Sequence, residues 1–462
     1  MLFLLARELA GVRAAAISQV FFAVLTVCPE WQALAANTEL FMLLPMTAAT
    51  WCVGRALASE RSESRKSSWG WWLAAGVLSL VAGLFKQVAM TNVVFLAVWA
   101  FFVTRQRKPE HPFRALLPAA GWFVGGMVAV SVITGAIFVM LGSGREFFDC
   151  VLGHNFRYSQ NVSWRVGRDN LREQIVKQGG TLWGVWLLTA LALLNLIRER
   201  RPFTALLASW LLFSALGVSI GLYFREHYFI QLAPAFALAC GTTLDRWTQR
   251  VSETLPAIRA SLVTALVAGV CSLPWLMPNL DFWFRSDADW KSRLIYERNP
   301  FPESAAFAEH LRRLSQPDET VMIYGSEPQL LFLAERRSAT RYILFYPLMM
   351  AIPGTLERQQ EAIRDMISNR PRVMVQMNLS TSLLMVADAP QYFHDQFRTL
   401  RDDGGYKLAG FREYNLRTNS SQLVFQEDAD KELERRHEIQ DEKKREGQNP
   451  QFSYDMLVFV RK

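Results

Sequence analysis

The stretch WWLAAGVLSLVAGLFKQVAMTNVVFLAVWAFFVTRQRK (Trp71–Lys108) decides the class of the molecule. Two apolar runs, Trp71–Leu84 and Val88–Val103, flank one lysine, Lys86, and the second run ends in Arg105, Arg107 and Lys108. Neither run has the polar face that a surface helix of a soluble protein keeps in water. A bilayer core asks for about 20 mainly apolar residues per helix. Both runs are short for that, so a partly re-entrant hairpin is one reading of the pair.

The pattern repeats on either side. Leu9–Val27, Thr38–Val53, Leu116–Met140, Thr181–Leu196, Phe203–Leu222, Tyr228–Gly241 and Ile258–Met277 complete a set of about nine predicted spans. Orientation comes from the turns. Arg55, Arg61, Arg65 and Lys66 follow the second span, and Arg105, Arg107, Lys108 and Arg114 the fourth. Arg198, Arg200 and Arg201 follow the sixth, and Arg246, Arg250 and Arg259 the eighth. These alternate turns are all cytoplasmic if the N-terminus is cytoplasmic, and the C-terminal part then lies outside. This placement explains most of the net charge of +8 without a nucleic-acid partner. The five cysteines form no CxxC pair, which argues against a zinc site or a disulfide framework; a bridge between Cys28 and Cys150 is disfavoured.

The expected architecture is a polytopic α-helical membrane domain over residues 1–280 and a C-terminal extracytoplasmic α/β domain over 285–462. In the second part helical patterns at Ser304–Leu314, Glu327–Ala334, Glu357–Ser368 and Ala389–Leu400 alternate with extended runs. Those runs are Thr320–Tyr324, Arg341–Phe345, Arg372–Gln376 and Tyr406–Phe411, which predicts a mainly parallel sheet. Leu423–Gln426 and Met456–Val460 read as a closing antiparallel pair around a charged insertion, near 427–447. Tyr324-Gly325-Ser326-Glu327-Pro328 carries neither GxGxxG nor a Walker pattern, so no nucleotide site is expected there.

Ionisable residues at membrane depth or at its edge are the informative ones. Asn37-Thr38-Glu39 opens the second span: either Asn37 or Thr38 caps the helix and Glu39 favours its first turn, or Glu39, beside Asn37, is a catalytic or metal-binding carboxylate. Lys86 either snorkels to the surface or neutralises a phosphate. Arg225-Glu226-His227 enters the eighth span amid aromatics, and reads as a membrane-edge ion pair or as a phosphate site. The loop Gly142–Gly180, with His154, Arg157 and four further arginines, is either solvated or a headgroup clamp, since guanidinium matches phosphate oxygens. All four groups fall on one face of the membrane. A carboxylate and several cations at one surface suit an enzyme that handles a lipid-linked phosphosugar.

PEWQALAANTELFMLLP (Pro29–Pro45), GLFKQVA (Gly83–Ala89) and HYFIQLAPAFALACG (His227–Gly241) resemble the membrane glycosyltransferases of the GT-C superfamily, in the branch of protein O-mannosyltransferases and aminoarabinose transferases. The resemblance implies transfer of a sugar from a polyprenyl-phosphate donor, often with a divalent metal such as Mg or Mn, to a lipid, glycan or protein acceptor in a bacterial inner membrane. Beside it, the reading of the membrane-edge residues puts Lys86, Arg225, His227, Arg157 and His154 at the donor phosphate. Glu39, a candidate metal ligand, matches the family's second acidic position. The chain starts at what corresponds to the family's third span, so the main catalytic acid has no counterpart. That departure keeps two other classes open: a non-catalytic envelope assembly or scaffold protein, and a transporter, which calls for polar residues deeper in the spans.

Overall fold

The computed structural model describes residues 1–60, 68–160, 162–199, 202–384, 386, 388–445 and 448–462, without the side chains of 196–199 and 202–204. Arg61, Arg65, Lys66, Arg200 and Arg201, and the side chain of Arg198, lie outside the described residues. The chain divides into two compact units, Met1–Arg285 and Ser286–Lys462.

The first unit is a helical bundle: α1 (Leu2–Ala10), α2 (Val12–Leu25), α3 (Thr38–Ser59), α4 (Ser68–Phe85), α5 (Thr91–Arg107), α6 (Pro112–Met140), α7 (Trp164–Glu199), α8 (Pro202–Ser219), α9 (Ala233–Ser252) and α10 (Ala257–Leu276). Among the described residues, five stretches are long and apolar enough to cross a membrane: Thr38–Ser59, Ser68–Phe85, Gln87–Arg107, Pro112–Met140 and Ala257–Phe284. Val12–Leu25 and Ala205–Ser219 are shorter and equally apolar. The chain is therefore a multi-pass membrane protein. Both arms of the α4–α5 hairpin are helical, and Ser68–Phe85 and Gln87–Arg107 are each long and apolar enough to span.

The first predicted span is interrupted. Gly11 takes φ +91°, a conformation glycine reaches without a Cβ penalty, and separates α1 from α2. Helix α1 folds back: Met1 and Leu2 share a cavity with Thr26, Leu40 and Leu43, while Glu8 meets Trp51 and Arg55. Met1 thus lies toward the end of the bundle that carries Glu39, not at the opposite end where the charge pattern put it. Gly11 takes that place, and the direction of the later spans is unchanged.

Small residues set the closest helix contacts, as expected where lipid supplies no hydrophobic drive for association. A Cβ on Gly76 of α4 would lie 1.9 Å from the Phe123 carbonyl oxygen of α6, and one on Gly126 would lie 2.3 Å from that of Leu73. Helix α9 is enclosed over its first half, with Ala233, Ala235, Ala237, Leu238, Ala239 and Cys240 all inaccessible. Its Gly241 touches α2 at Ala14 and Ser18. Helix α9 is not one of the long apolar stretches. The expected loop Gly142–Gly180 is mostly helical: Gly144–Phe148, a wider-turned Asp149–His154 and Asn155–Ser159 lead into α7, which starts at Trp164. Its backbone groups find partners within the helices, while most of its described side chains are exposed. The five cysteines are unbridged.

The second unit contains α11 (Ser304–Leu314), β1 (Thr320–Tyr324), α12 (Pro328–Ala334), β2 (Arg337–Ser338), α13 (Thr355–Asn369), β3 (Val373–Met377), α14 (Tyr392–Asp403), β4 (Tyr406–Asn415), β5 (Ser420–Phe425), α15 (Ala429–Arg445) and β6 (Phe452–Arg461). The sheet order is β2-β1-β3-β6-β4-β5. The β1 pairs with β2 and β3 are parallel, and the rest are antiparallel, so the sheet is mixed rather than mainly parallel. Strands β5 and β6 do not pair with each other; β4 lies between them. The ten-residue β4 offers two long edges, and each neighbour takes one. Arg341–Phe345 is not a strand. Its amides turn to side chains, Tyr342 N–H donating to Thr340 Oγ1 and Phe345 N–H to Ser326 Oγ. The charged insertion forms α15, held to β4 by the Arg436–Glu413 pair.

Candidate functional site

Three predicted residues from three distant segments meet at one end of the bundle. Glu39 stands in the first turn of α3 and is 2% exposed. Lys86, in the tight turn between α4 and α5, places its Nζ against Glu39 Oε1. His227 comes from the turn before α9, with Nε2 3.8 Å from the same oxygen. The other carboxylate oxygen, Oε2, accepts from Thr38 Oγ1 at 3.1 Å. Lys86 Nζ also sits 3.9 Å from the centroid of the Tyr228 ring, a cation–π contact.

The loop between α2 and α3 holds this arrangement. Gln32 adopts a left-handed backbone, φ +52°. Its carbonyl accepts from Asn37 Nδ2 at 2.9 Å, and its side-chain oxygen lies 3.2 Å from His227 Nδ1. The Asn37 amide therefore braces the loop and is not part of the Glu39 cluster. The 226–228 turn is tied down separately: Lys177 Nζ donates to Glu226 at 2.9 Å and Gln174 Nε2 at 3.4 Å. Gln178 bonds Gln174 and accepts from Trp31 Nε1, closing a polar chain back to the same loop.

Burial pulls the Lys86 ammonium below the usual lysine range; Glu39 opposes this and Arg225 adds to it. Burial likewise lowers His227 to about 4, with Lys86 and Arg225 adding and Glu39 opposing. His227 is therefore neutral near pH 7. With Gln32 Oε1 as acceptor, its proton sits on Nδ1 and its Nε2 lone pair faces Glu39.

Glu39 and Lys86 form part of the wall of a cavity of about 300 Å³. Val151, Leu152 and Phe156 of the helical segment before α7 make its apolar side, and Gly217, Gly221 and Gln231 close it opposite. A Cβ on Gly217 would fall within 3 Å of Gln231 and Thr91, which are bonded to each other at 3.0 Å, so the glycine keeps that wall open. His154 and Arg157 ride on the segment that covers the cavity but do not line it. Arg157 pairs with Asp149 at 3.1 Å, and His154 stacks near Tyr158. Arg225 lies within electrostatic reach of Lys86 and His227, its guanidinium 5.8 Å from the Tyr223 ring. Tyr228, Gln32 and Gln231 escaped sequence reasoning. Only Tyr228 carried a signal, as an aromatic next to His227.

The donor set does not fit a divalent cation. Glu39 Oε1 is already covered by an ammonium, and His227 is the one further ligand type beside it. Among the described residues no three His, Cys, Asp or Glu side chains are grouped to hold a metal.

Glu39 and Lys86 both fall in the first third of the chain, where a family likeness is found. Residues 1–134 match a family described as dolichyl-phosphate-mannose-protein mannosyltransferase. This is the glycosyltransferase type that the sequence motifs resemble; His227 and the second unit lie beyond the matched stretch. A crystal structure of the Archaeoglobus fulgidus oligosaccharyltransferase in the apo form is similar over 92% of this chain, at 13% identity and a TM-score of 0.47. The likeness spans 62% of that protein's length. A search of curated proteins finds no match.

Proposed function

We propose that the chain is a membrane glycosyltransferase that moves a sugar from a polyprenyl-phosphate donor to a hydroxyl of a lipid, glycan or protein. The observation that carries this reading is the pairing of Glu39 with Lys86 at the wall of an apolar cavity, with His227 beside Glu39. The family likeness over residues 1–134 supports it. The basic residues Arg55 and Arg107 belong to the opposite end of the bundle, where Arg107 donates to the Leu57 carbonyl. By the distribution of positive charge, the Glu39 end then faces away from the cytoplasm. The alternation of the predicted spans makes the C-terminal domain extracytoplasmic.

In this reading the acceptor oxygen attacks the anomeric carbon and a bond forms there. The bond from that carbon to the phosphate oxygen breaks, and the polyprenyl phosphate leaves with the electron pair. Lys86 and Arg225 balance the charge on the departing phosphate. Glu39 takes the acceptor's proton as general base. His227, being neutral, adds no cation that would hold Glu39 back. The cavity's apolar side takes the first part of the lipid and keeps water from the sugar.

The test is sugar transfer in proteoliposomes across a panel of labelled polyprenyl-phosphate sugars. Wild type transfers from at least one donor, and Glu39→Gln lowers the rate by about 100-fold or more, the usual worth of a general base. Lys86→Met raises KM for the donor more than for the acceptor. Full activity in Glu39→Gln removes the role given to that residue. No transfer by wild type from any donor overturns the enzyme reading and favours a scaffold.

A further inference from the structure

Lys86 holds two positions at once. Its ammonium is committed to Glu39, yet it also lines the cavity, and its side chain is 22% exposed where that of Glu39 is 2%. Glu39 has little room to change partners: its oxygens face Lys86, Thr38 and His227. Lys86 has a flexible four-carbon stem and a cavity in front of it. The ring of Tyr228, itself lining the cavity, offers the ammonium a second resting surface. So the pair can separate in one direction, by Lys86 swinging into the cavity.

A neutral ligand gives Lys86 no reason to leave a carboxylate. An anionic one does, because the ammonium then trades one anion for another while its charge stays compensated. Glu39 is freed in the same event and can face a hydroxyl of the acceptor. We propose that Glu39 and Lys86 form a latch that a phosphate-bearing ligand opens, so that the carboxylate becomes available after the anionic ligand has bound. The latch rests on the transferase reading above and adds an order to it: donor first, acceptor second. Before the phosphate arrives, Glu39 is masked.

The experiment reads the carboxylate directly and needs no sugar transfer. The full chain, purified in detergent, is treated with a hydrophobic carbodiimide, and modification of Glu39 is followed by peptide mass spectrometry. A carboxylate locked to an ammonium is a poor target. One that the ammonium has left is open to the reagent and becomes a good one. Wild type alone is expected to react slowly. Undecaprenyl phosphate should speed modification by about tenfold, as a shift of the population from the closed to the open pair does. The neutral polyprenol should not. Inorganic phosphate separates headgroup from lipid: acceleration by phosphate alone assigns the opening to the headgroup, and acceleration by the lipid phosphate alone assigns it to both parts together. Lys86→Met should react fast without ligand and gain nothing from it, while Lys86→Arg should stay protected.

The wild-type arms stand even if Lys86→Met fails to fold. Fast modification of ligand-free wild type overturns the latch, as does equal acceleration by the neutral polyprenol. Binding of undecaprenyl phosphate, seen as a thermal shift, without faster modification also overturns it. None of these depends on turnover. Failure of the latch with intact sugar transfer leaves the function in place, and a working latch without transfer removes the function alone.

Discussion

Removing Lys86 should cost more stability than removing the charge of Glu39, although the two form one pair. In Lys86→Met the Glu39 carboxylate stays 2% exposed and keeps only the hydroxyl of Thr38 as a donor. An uncompensated buried charge of this kind costs about 3–5 kcal/mol. In Glu39→Gln the ammonium left behind can turn toward the cavity and keep its place over Tyr228. The neutral amide can still bond Thr38, so the loss is nearer about 1–2 kcal/mol. The double substitution removes both charges and should resemble Glu39→Gln. The cycle then returns a coupling of about 3–5 kcal/mol, the whole cost of Lys86→Met, well above the roughly 0.5 kcal/mol scatter of independent sites. The assay is unfolding of the full chain in one fixed detergent, followed by the fluorescence of its 15 tryptophans. If Lys86→Met proves as stable as Glu39→Gln, or the coupling falls inside that scatter, the two residues are not a buried pair and the argument from burial fails.

Two further outcomes follow from the same bundle. His227 is held at about 4, below its ordinary value near 6.5, so between those pH values the unfolded chain binds more protons than the folded one. The stability owed to neutral His227 is full above about 6.5 and is lost as pH falls toward 4, with a slope of at most roughly 1.4 kcal/mol per unit. His227→Gln should flatten that acid limb in a pH series of unfolding curves; an unchanged limb would assign it to other groups. Gly76→Leu should disrupt the contact of α4 with α6, because even a Cβ there would lie 1.9 Å from a backbone oxygen. Loss of the monodisperse peak in size-exclusion chromatography is expected, and a variant as well behaved as wild type would contradict the helix spacing.

Much of the first unit was legible because apolar length is a local property. Each of the nine runs corresponds to a helix, and Thr320–Tyr324 in the second unit was read to the residue. What was not legible depends on partners. The break at Gly11 falls inside an apolar run, with Leu9 and Ala10 before it and Val12 after it, and the turn is set by its φ. Arg341–Phe345 has strand composition, but the hydroxyls of Ser326 and Thr340 claim its amides. The order of β4, β5 and β6 is decided by which edge is free, which no single run encodes. For the candidate site, charge at one membrane face could be read from the turns. That Glu39, Lys86 and His227 touch, while Arg157 turns to Asp149, depends on helix packing 47 and 188 residues away along the chain from Glu39.

Helix α9 has a consequence for how such a protein is made. Its first half is walled in by its neighbours, and its small side chains let them come close. The same residues, with Thr242, Thr243 and Asp245 on the helix, leave it too polar to settle in lipid by itself. Insertion at the ribosome-bound channel cannot be a matter of this segment alone. Helices α2 and α7 must already be waiting, and Arg13 must be in position to receive Asp245. Biogenesis of the bundle is therefore cooperative at its centre. A substitution in α2 that leaves every later segment untouched can still cause α9 to be refused by the membrane, and the chain to be handed to quality-control proteases.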